Sequence, residues 1–386
     1  MNQPQSETAG ARNADLEIVT HDKAPLAVRM ELSKVEAAIA HYPDEVRLDV
    51  IWLHNFRHTE FSGRTALLAH FLNERLKIKA SEQYVYQLLA GKYFRREKGT
   101  GRMLGSVDTV KEIAEACRQW AAVNADSCGL PFVEDEEWRD FCDYVDSVRN
   151  VENVIRFGGI VGPTGRGKTR MTQRYAVLNN HGSCVRIEAS DTMTVNQFEQ
   201  KLGWCYGVAF SAQTAERRER IYVNVRRDRT IFIENFQKLY RPEMKGKQKL
   251  LSAVQELQDE TQCTIVATWT PGFTRIMEDD TTEEGKYLEQ FVGRFGGLDR
   301  VHLLADHRPL ESLRAIVARY EILGGKDSLA ILQRWSRSPG RDRILFGRIQ
   351  RAMHAAKLAK STHVKLEHLQ AVDVVDAPLP REEAAA

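Results

Sequence analysis

Through the middle of the chain, short apolar runs alternate with longer segments whose apolar residues recur at helical spacing. The apolar runs predict buried strands at residues 154–161, 183–188, 230–235, 263–268 and 300–304. The segments between them predict helices at residues 170–179, 195–203, 215–227 and 249–260. Strands separated by helices of this length predict a parallel sheet covered on both faces, which is an α/β fold.

The chain on either side of this region has helical spacing and no strand pattern. Helices are predicted before it at residues 27–40, 46–56, 65–73, 81–93, 107–123 and 141–149, and residues 310–373 after it are predicted to be entirely helical. We therefore predict a mobile N-terminal arm (1–24), a helical domain (25–125), a linker and leading helix (126–150), an α/β core (151–306), a helical lid (307–375) and a C-terminal tail (376–386).

Two short helices in the N-terminal domain have the pattern of a helix-turn-helix. The first covers residues 65–73, and the second follows the N-cap residue Ser81 and ends at Gly91. The residues predicted to contact DNA are Gln83, Tyr86 and Gln87 in a groove and Lys92, Arg95 and Arg96 at phosphates. The alternative is a small helical adaptor whose charged residues are only solvated.

A glycine-rich loop follows the first predicted strand of the core and matches the spacing G-x-x-x-x-G-K-[ST]. Its backbone N–H groups and the N-terminus of the next helix can surround phosphate oxygens. Lys168 is predicted to reach the outer phosphates of ATP, and the Thr169 hydroxyl is predicted to bind Mg²⁺. The predicted nucleotide-binding residues are Gly162, Pro163, Thr164, Gly165, Arg166, Gly167, Lys168, Thr169 and Arg170.

Polar residues end the later strands, where open parallel sheets bind their ligands. Glu234 is predicted to be the second metal ligand, and Asn235 takes the place of a glutamate that would activate water. An amide orients water but accepts no proton, so we expect an ATP-binding switch with slow hydrolysis. The alternative is that Glu234 is itself the base. Thr270 is predicted to contact the γ-phosphate or the attacking water.

Arginines later in the chain supply two further predictions. Arg294 ends a helix and is predicted to reach the γ-phosphate of a neighbouring subunit, and Arg343 is predicted to respond to bound nucleotide from the lid. Basic stretches that include Arg226, Lys245 and Lys247 are predicted to follow a DNA backbone inside a ring or spiral of subunits. A solvated helix face with local ion pairs is an equally good interpretation of these stretches.

Composition narrows the class of protein. The formal net charge is +2, so any nucleic-acid binding depends on local patches. The 6 cysteines form no C-x-x-C pair, which argues against a zinc site or a disulfide framework. Because no apolar run approaches the length of a membrane span, we expect a cytoplasmic protein without a membrane anchor.

With these motifs in place, the chain resembles the AAA+ ATPases, and more narrowly the phage Mu transposition protein B family. The matching stretches are residues 162–169, 230–235, 291–295 and 338–345. The resemblance implies assembly into a homo-oligomeric ring or filament on double-stranded DNA, with ATP and Mg²⁺ as cofactors and a transposase as partner. It also implies that Lys168 and Thr169 bind phosphate and magnesium, and that Glu234, Arg294 and Arg343 match the metal ligand, trans-acting arginine and lid sensor.

Two residues depart from that family pattern. Asn235 stands where the family has glutamate, and Thr270 stands where it usually has asparagine. Our leading hypothesis is therefore an ATP-dependent, DNA-binding regulator of transposition with weak ATPase activity. A signalling or defence ATPase whose N-terminal domain binds a protein is the alternative, and a chaperone-like or replication-loading ATPase is a third possibility.

Overall fold

The computed structural model describes residues 31–61, 63–96, 98–101, 103–124, 130–179, 184–208, 214–241 and 248–375. Several predictions lie outside these residues and cannot be compared with the structure. They are the mobile arm at 1–24, the C-terminal tail at 376–386 and the DNA contacts of Lys245 and Lys247.

Helices and one short antiparallel hairpin form the N-terminal region. The elements are α1 (Leu32–Ala38), α2 (Asp44–Phe61), α3 (Thr65–Glu74), α4 (Glu82–Leu89), β1 (Arg95–Arg96), β2 (Met103–Leu104) and α5 (Val107–Asn124). Ser81 caps α4 as predicted, because its hydroxyl accepts a hydrogen bond from the Tyr84 N–H at 3.1 Å. The β1–β2 hairpin was not predicted, since its ladder is too short to give a strand pattern.

The connection between α3 and α4 runs from residue 75 to residue 81. Asn73 links the end of α3 to the end of this connection: its side-chain amide donates to the Ala69 carbonyl at 2.7 Å and to the Ala80 carbonyl at 2.5 Å. A helix-turn-helix usually has a turn of about three or four residues, so this connection is longer than usual for that motif. The helix-turn-helix therefore stays a prediction.

The core contains a leading helix and a five-stranded parallel sheet with helices between its strands. The elements are α6 (Glu136–Arg149), β3 (Phe157–Val161), α7 (Lys168–Leu178), β4 (Cys184–Glu188), α8 (Val195–Cys205), α9 (Thr214–Asn224), β5 (Thr230–Glu234), α10 (Lys249–Thr261), β6 (Thr264–Trp269), α11 (Pro271–Glu278), α12 (Glu283–Phe295) and β7 (His302–Leu303). The strand order is β4-β5-β6-β3-β7. Strands β3, β5 and β6 are buried along their whole length because helices cover both faces.

Four helices follow the sheet and form the lid: α13 (Leu310–Arg319), α14 (Gly325–Arg337), α15 (Asp342–Leu358) and α16 (Leu366–Val375). Their apolar faces make a separate hydrophobic cluster, which also includes Leu130 and Val133 from the segment before α6. The predicted fold class is confirmed: an α/β parallel sheet is followed by a helical lid.

The N-terminal helices pack directly on the core. One hydrophobic cluster runs from these helices to one face of the sheet, and the Trp52 indole donates to the Val177 carbonyl at 2.9 Å. Glu36 of α1 and Glu31, the residue before this helix, add ion pairs: Glu36 pairs with Arg229 at 2.6 Å, and Glu31 pairs with Arg220. These contacts fix the N-terminal region against the core, while the predicted domain boundaries stay a prediction.

Candidate nucleotide-binding site

The glycine-rich loop connects β3 to α7 and has the conformation that its sequence predicts. Gly165 and Gly167 have φ angles of +84° and +79°, which residues with a Cβ rarely adopt. No side chain caps the first turn of α7, which begins at Lys168. The N–H groups of this turn are therefore available to an anion, and the helix dipole favours one there.

The side chain of Lys168 lies inside the curve of this loop. Its Nζ donates to the carbonyl oxygens of Gly162 at 2.5 Å and Pro163 at 3.0 Å. The pKa of Lys168 is lowered to about 8, mainly by burial and also by the charges of Arg166 and Arg341, while the charge of Glu234 opposes the shift. The positive charge of the Lys168 ammonium group is thus only partly balanced by the groups around it, and phosphate oxygens would stabilise its charged form.

This pKa predicts how nucleotide affinity depends on pH. Bound phosphates would raise the pKa of Lys168. Above pH 8 the Lys168 amine of the free protein is mostly deprotonated, so ATP binding there requires the uptake of a proton. We expect the Kd for ATP to be flat from about pH 7 to 8 and to rise up to about tenfold per pH unit above that. Fluorescence titrations test this, with Lys168→Arg as control, because arginine stays charged and should give no slope. An equal slope in both proteins would contradict it.

Glu234 ends β5 and is only 1% exposed. Its Oε1 accepts hydrogen bonds from the Thr172 hydroxyl at 2.5 Å and from Arg186 Nε at 2.7 Å. The Thr172 hydroxyl also lies 3.0 Å from the Thr169 carbonyl, so Glu234 is tied to the first turn of α7. Its Oε2 is buried and has no hydrogen-bond partner among the described residues. Burial of a carboxylate oxygen without a partner is costly, and a metal ion or its water would satisfy it.

The residues present therefore fit Mg²⁺ held through few protein ligands and several waters. Glu234 Oε2 and the exposed Thr169 hydroxyl are hard oxygen donors of the kind that Mg²⁺ prefers. Within the described residues, no group of three or more His, Cys, Asp or Glu side chains is arranged to hold a metal.

Asn235 and Thr270 follow β5 and β6 at the same edge of the sheet. Asn235 has a φ of +56°, a left-handed conformation that asparagine tolerates better than most residues, and its N–H lies 3.3 Å from the Thr268 hydroxyl. Thr270 is half-buried, and its side chain does not cap α11. The Gly162 N–H bonds the Trp269 carbonyl at 3.3 Å, which joins this strand end to the phosphate loop.

The two remaining predicted catalytic arginines lie elsewhere. Arg294 is on the last turn of α12 and forms a two-pronged pair with Asp259 of α10, at 2.6 and 2.7 Å. Arg343 is exposed on the first turn of α15, and no contact of its side chain is seen within the described residues. Arg341 reaches the loop instead: its Nη1 lies 3.3 Å from the Thr164 carbonyl, and its Nε lies 2.7 Å from the Asp306 carbonyl.

Two residues predicted to bind nucleotide have side chains that turn toward other parts of the protein. Arg166 is fully buried and pairs with Glu137 and Asp342. The Arg170 guanidinium lies over the Phe132 and Phe346 rings, at 5.0 and 4.3 Å from their centroids. In this structure, any contact of these residues with phosphate falls to their backbone N–H groups.

The residues predicted to contact DNA on the N-terminal region are mostly accessible. Gln83 and Tyr86 are exposed on α4, Gln87 is half-buried, and Lys92 lies 5.4 Å from the centre of the Tyr86 ring. Arg95 and Arg96 are both exposed on β1. Exposed cations of this kind are suited to phosphates but do not themselves identify a ligand.

The basic stretch around α9 is different, because acidic residues neutralise it. Arg226 pairs with Glu36 at 2.9 Å and with Asp228 at 3.6 Å. Other arginines of this stretch also have carboxylate partners: Arg217 with Glu199, Arg218 with Glu199 and Glu256, Arg220 with Glu31 and Glu216, and Arg229 with Glu36 and Asp228. Of the two interpretations of this stretch, the contacts favour local ion pairs, and the DNA contact of Arg226 stays a prediction.

Sequence reasoning missed several residues of the site. Arg186 was detectable as an internal charge of strand β4, which pairs with strand β5 that ends at Glu234. Thr172 and Asp342 gave no local signal, because each acts through a partner distant in sequence.

Together, the parallel sheet, the glycine-rich loop before α7, the buried carboxylate on β5 and the helical lid define a P-loop nucleotide-binding fold of the AAA+ class. Residues 155–277 match a family model described as AAA domain. The prediction of an AAA+ domain is thus confirmed for these residues. The narrower resemblance to the phage Mu transposition protein B family is not confirmed by the comparisons and stays a prediction.

Solved structures with a similar fold include the Aeropyrum pernix Orc1 protein in complex with DNA, at 18% identity and a TM-score of 0.46, covering 65% of this chain and 68% of that one. The Thermotoga maritima RuvB Holliday junction branch migration motor has 16% identity and a TM-score of 0.41, with 62% and 68% covered. Drosophila ORC bound to DNA has 14% identity and a TM-score of 0.43, with 67% and 65% covered. These values are too low to bear on function. The comparison with curated proteins gave no match.

Every helix in the part of the chain that the structure describes is too short or too polar to span a lipid bilayer.

Proposed function

We propose that this protein is an ATP-dependent, DNA-binding ATPase that assembles on duplex DNA in the cytoplasm and directs a transposase to it. One observation carries the nucleotide part: the buried carboxylate of Glu234 keeps one oxygen without a partner, next to the helix that starts from the phosphate loop. With the Lys168 ammonium and the Thr169 hydroxyl, this matches the needs of a triphosphate with Mg²⁺.

Each residue of the site has a distinct task in this proposal. Lys168 leaves the Gly162 and Pro163 carbonyls and binds the outer phosphates, and Thr169 and Glu234 hold Mg²⁺. The ion, when bound, offsets the negative charge of the β- and γ-phosphates. Asn235 and Thr270 orient water at the strand ends. Because neither accepts a proton efficiently, we expect slow hydrolysis and an ATP-bound state that persists.

Assembly of subunits would use Arg294. Its pair with Asp259 is bidentate, and its Nη1 also donates to Gln258 Oε1 at 2.6 Å; the Arg294 side chain is 27% exposed and that of Asp259 is 54% exposed. Arg294 would have to leave these partners to reach a neighbour's γ-phosphate, where it would form a charge-assisted contact instead.

DNA binding would use the surface of α4 and the β1–β2 hairpin. Arg95, Arg96 and Lys92 are exposed there, whereas the arginines around α9 are already paired with carboxylates. The specific observation that favours the alternative, a signalling or defence ATPase with a protein partner, is the connection at residues 75–81, which is longer than a helix-turn-helix turn.

Electron microscopy with ATP, in the presence and absence of duplex DNA, distinguishes these functions. We expect DNA-coated filaments whose DNA affinity falls at least about tenfold between about 50 and 200 mM salt. Arg95→Ala/Arg96→Ala should weaken DNA binding and reduce the salt dependence. The matched control Arg314→Ala/Arg319→Ala, on the exposed face of α13, should leave both unchanged. Closed rings that ignore DNA would favour the alternative. Adding a transposase encoded beside the gene then tests the last step.

A further inference from the structure

Five charged side chains, each less than one-tenth exposed, lie together behind the phosphate loop: Arg166, Arg308, Asp135, Glu137 and Asp342. Arg166 Nη1 pairs with Asp342 Oδ2 at 3.0 Å, and its Nη2 pairs with Glu137. Arg308 pairs with the same Asp342 oxygen at 3.0 Å and with Asp135 at 2.8 Å. Two guanidinium groups thus face three carboxyl groups in a site closed to water.

These residues come from four parts of the chain. Asp135 caps α6, and Glu137 lies in its first turn; Arg166 belongs to the phosphate loop; Arg308 precedes α13; and Asp342 begins α15 of the lid. Backbone contacts also connect the phosphate loop to the lid. The Asp342 N–H donates to the Gly165 carbonyl at 3.0 Å, and a Cβ on Gly165 would lie 2.5 Å from the Gly340 carbonyl oxygen. The lid therefore rests on the loop itself.

The carboxylate of Asp342 lies against the phosphate loop at Gly167. A Cβ on Gly167 would be 3.1 Å from its Oδ2. An anion bound by the N–H groups of this loop would be repelled by Asp342 unless the two guanidinium groups neutralised it. Removing one partner of a buried ion pair leaves an uncompensated charge, which is a large perturbation.

We propose that Arg166 is a positioning residue that locks the lid onto the phosphate loop and sets nucleotide affinity through Asp342, without its side chain touching the nucleotide. The affinity part of this inference rests on the proposed nucleotide binding. The contact between the loop and the lid does not depend on nucleotide binding, because it is present in the protein without nucleotide. Through Arg166, a change in the loop is passed directly to Asp342 at the start of α15.

The test uses Arg166→Met in the full chain. Without nucleotide, we expect at least tenfold faster hydrogen exchange at residues 305–310 and 339–346, with exchange in α11 and α12 unchanged. The Kd for a fluorescent ATP analogue should rise at least tenfold. The matched control is Arg314→Met, which removes an exposed arginine paired with Glu311 on the lid surface and should change neither measurement.

A second variant keeps the test decisive if Arg166→Met does not fold. Arg166→Lys retains the charge but cannot contact Glu137, Asp342 and the Ala305 carbonyl at once, as Arg166 does. We expect it to restore most of the affinity while lid exchange stays faster than in the natural protein.

Unchanged lid exchange in both variants would overturn the lock. Weaker binding with a fully protected lid would also overturn it, because Arg166 would then act on the nucleotide directly. Failure of the unaltered protein to bind nucleotide would refute the proposed function, and the exchange measurements would still decide whether Arg166 holds the lid.

Discussion

Lys168→Ala should weaken ATP binding by about one to two orders of magnitude and remove nucleotide-dependent assembly with it. The ammonium now bonds two loop carbonyls and is only partly compensated, as its low pKa indicates. Charge-assisted hydrogen bonds contribute about 1.5–3 kcal/mol each, which corresponds to about 10- to 150-fold in affinity. Isothermal titration with ATP and sedimentation with and without ATP measure the two effects.

The variant should remain folded, because burial of the charged lysine opposes folding at neutral pH. The folded-state pKa of Lys168 is about 8, against an ordinary value of 10.5. Folding therefore expels a proton between these values, and the cost of the buried charge is fully present below pH 8. Lys201→Ala is the matched control, since Lys201 also donates to a backbone carbonyl, at Glu188, but lies on the surface. Persistence of ATP binding and assembly in Lys168→Ala would mean that the loop is not the site.

Asn235→Glu should raise the rate of ATP hydrolysis by at least about tenfold. A positioned general base contributes about 10²- to 10⁴-fold, and the amide at this position cannot supply it. Asn235 follows the buried Glu234 directly, and its N–H lies 3.3 Å from the Thr268 hydroxyl, so a carboxylate there would enter a site already organised around the strand ends. Phosphate release under saturating ATP measures the change.

Asn235→Gln is the control for this substitution. Position 235 has a φ of +56°, which asparagine tolerates better than glutamate or glutamine, so both variants bear a similar backbone cost. Only the glutamate adds a base. Equal rates in the two variants would show that another missing group limits hydrolysis. A rate that falls in both, with ATP binding retained, would show that Asn235 itself orients the water.

The basic stretches of this chain differ in how many of their side chains form ion pairs with carboxylates. The arginines around α9 hold the N-terminal helices to the core through Glu31 and Glu36. The exposed basic residues near α4 have fewer such partners. A count of basic residues along the chain does not distinguish arginines that pair with carboxylates from basic residues that do not.

The sequence predicted the elements well where the signal is local. Strand β5 begins at Thr230 as expected, and it ends at Glu234, one residue early, because Asn235 turns left-handed. The leading helix α6 begins at Glu136, before the predicted residue 141, because Asp135 caps it by accepting the Trp138 N–H at 3.0 Å. Caps and periodicity act over a few residues, so one chain suffices to find them to within a few positions.

The candidate site also has features that the local sequence predicts and features that it does not. The spacing of the glycines and Lys168 predicts the phosphate loop, because Gly165 and Gly167 allow the positive φ angles that the loop contains. The sequence by itself therefore fixed the α/β class, the loop and the residues at the strand ends.

Only the tertiary structure decided the strand order and which charged side chains face the loop. Arg166 was expected at the nucleotide, but its partners Glu137 and Asp342 lie 29 residues before it and 176 residues after it. Arg341, rather than Arg343, contacts the loop from the lid. Ion pairs of this kind depend on how distant segments pack, and no local pattern of residue types records that.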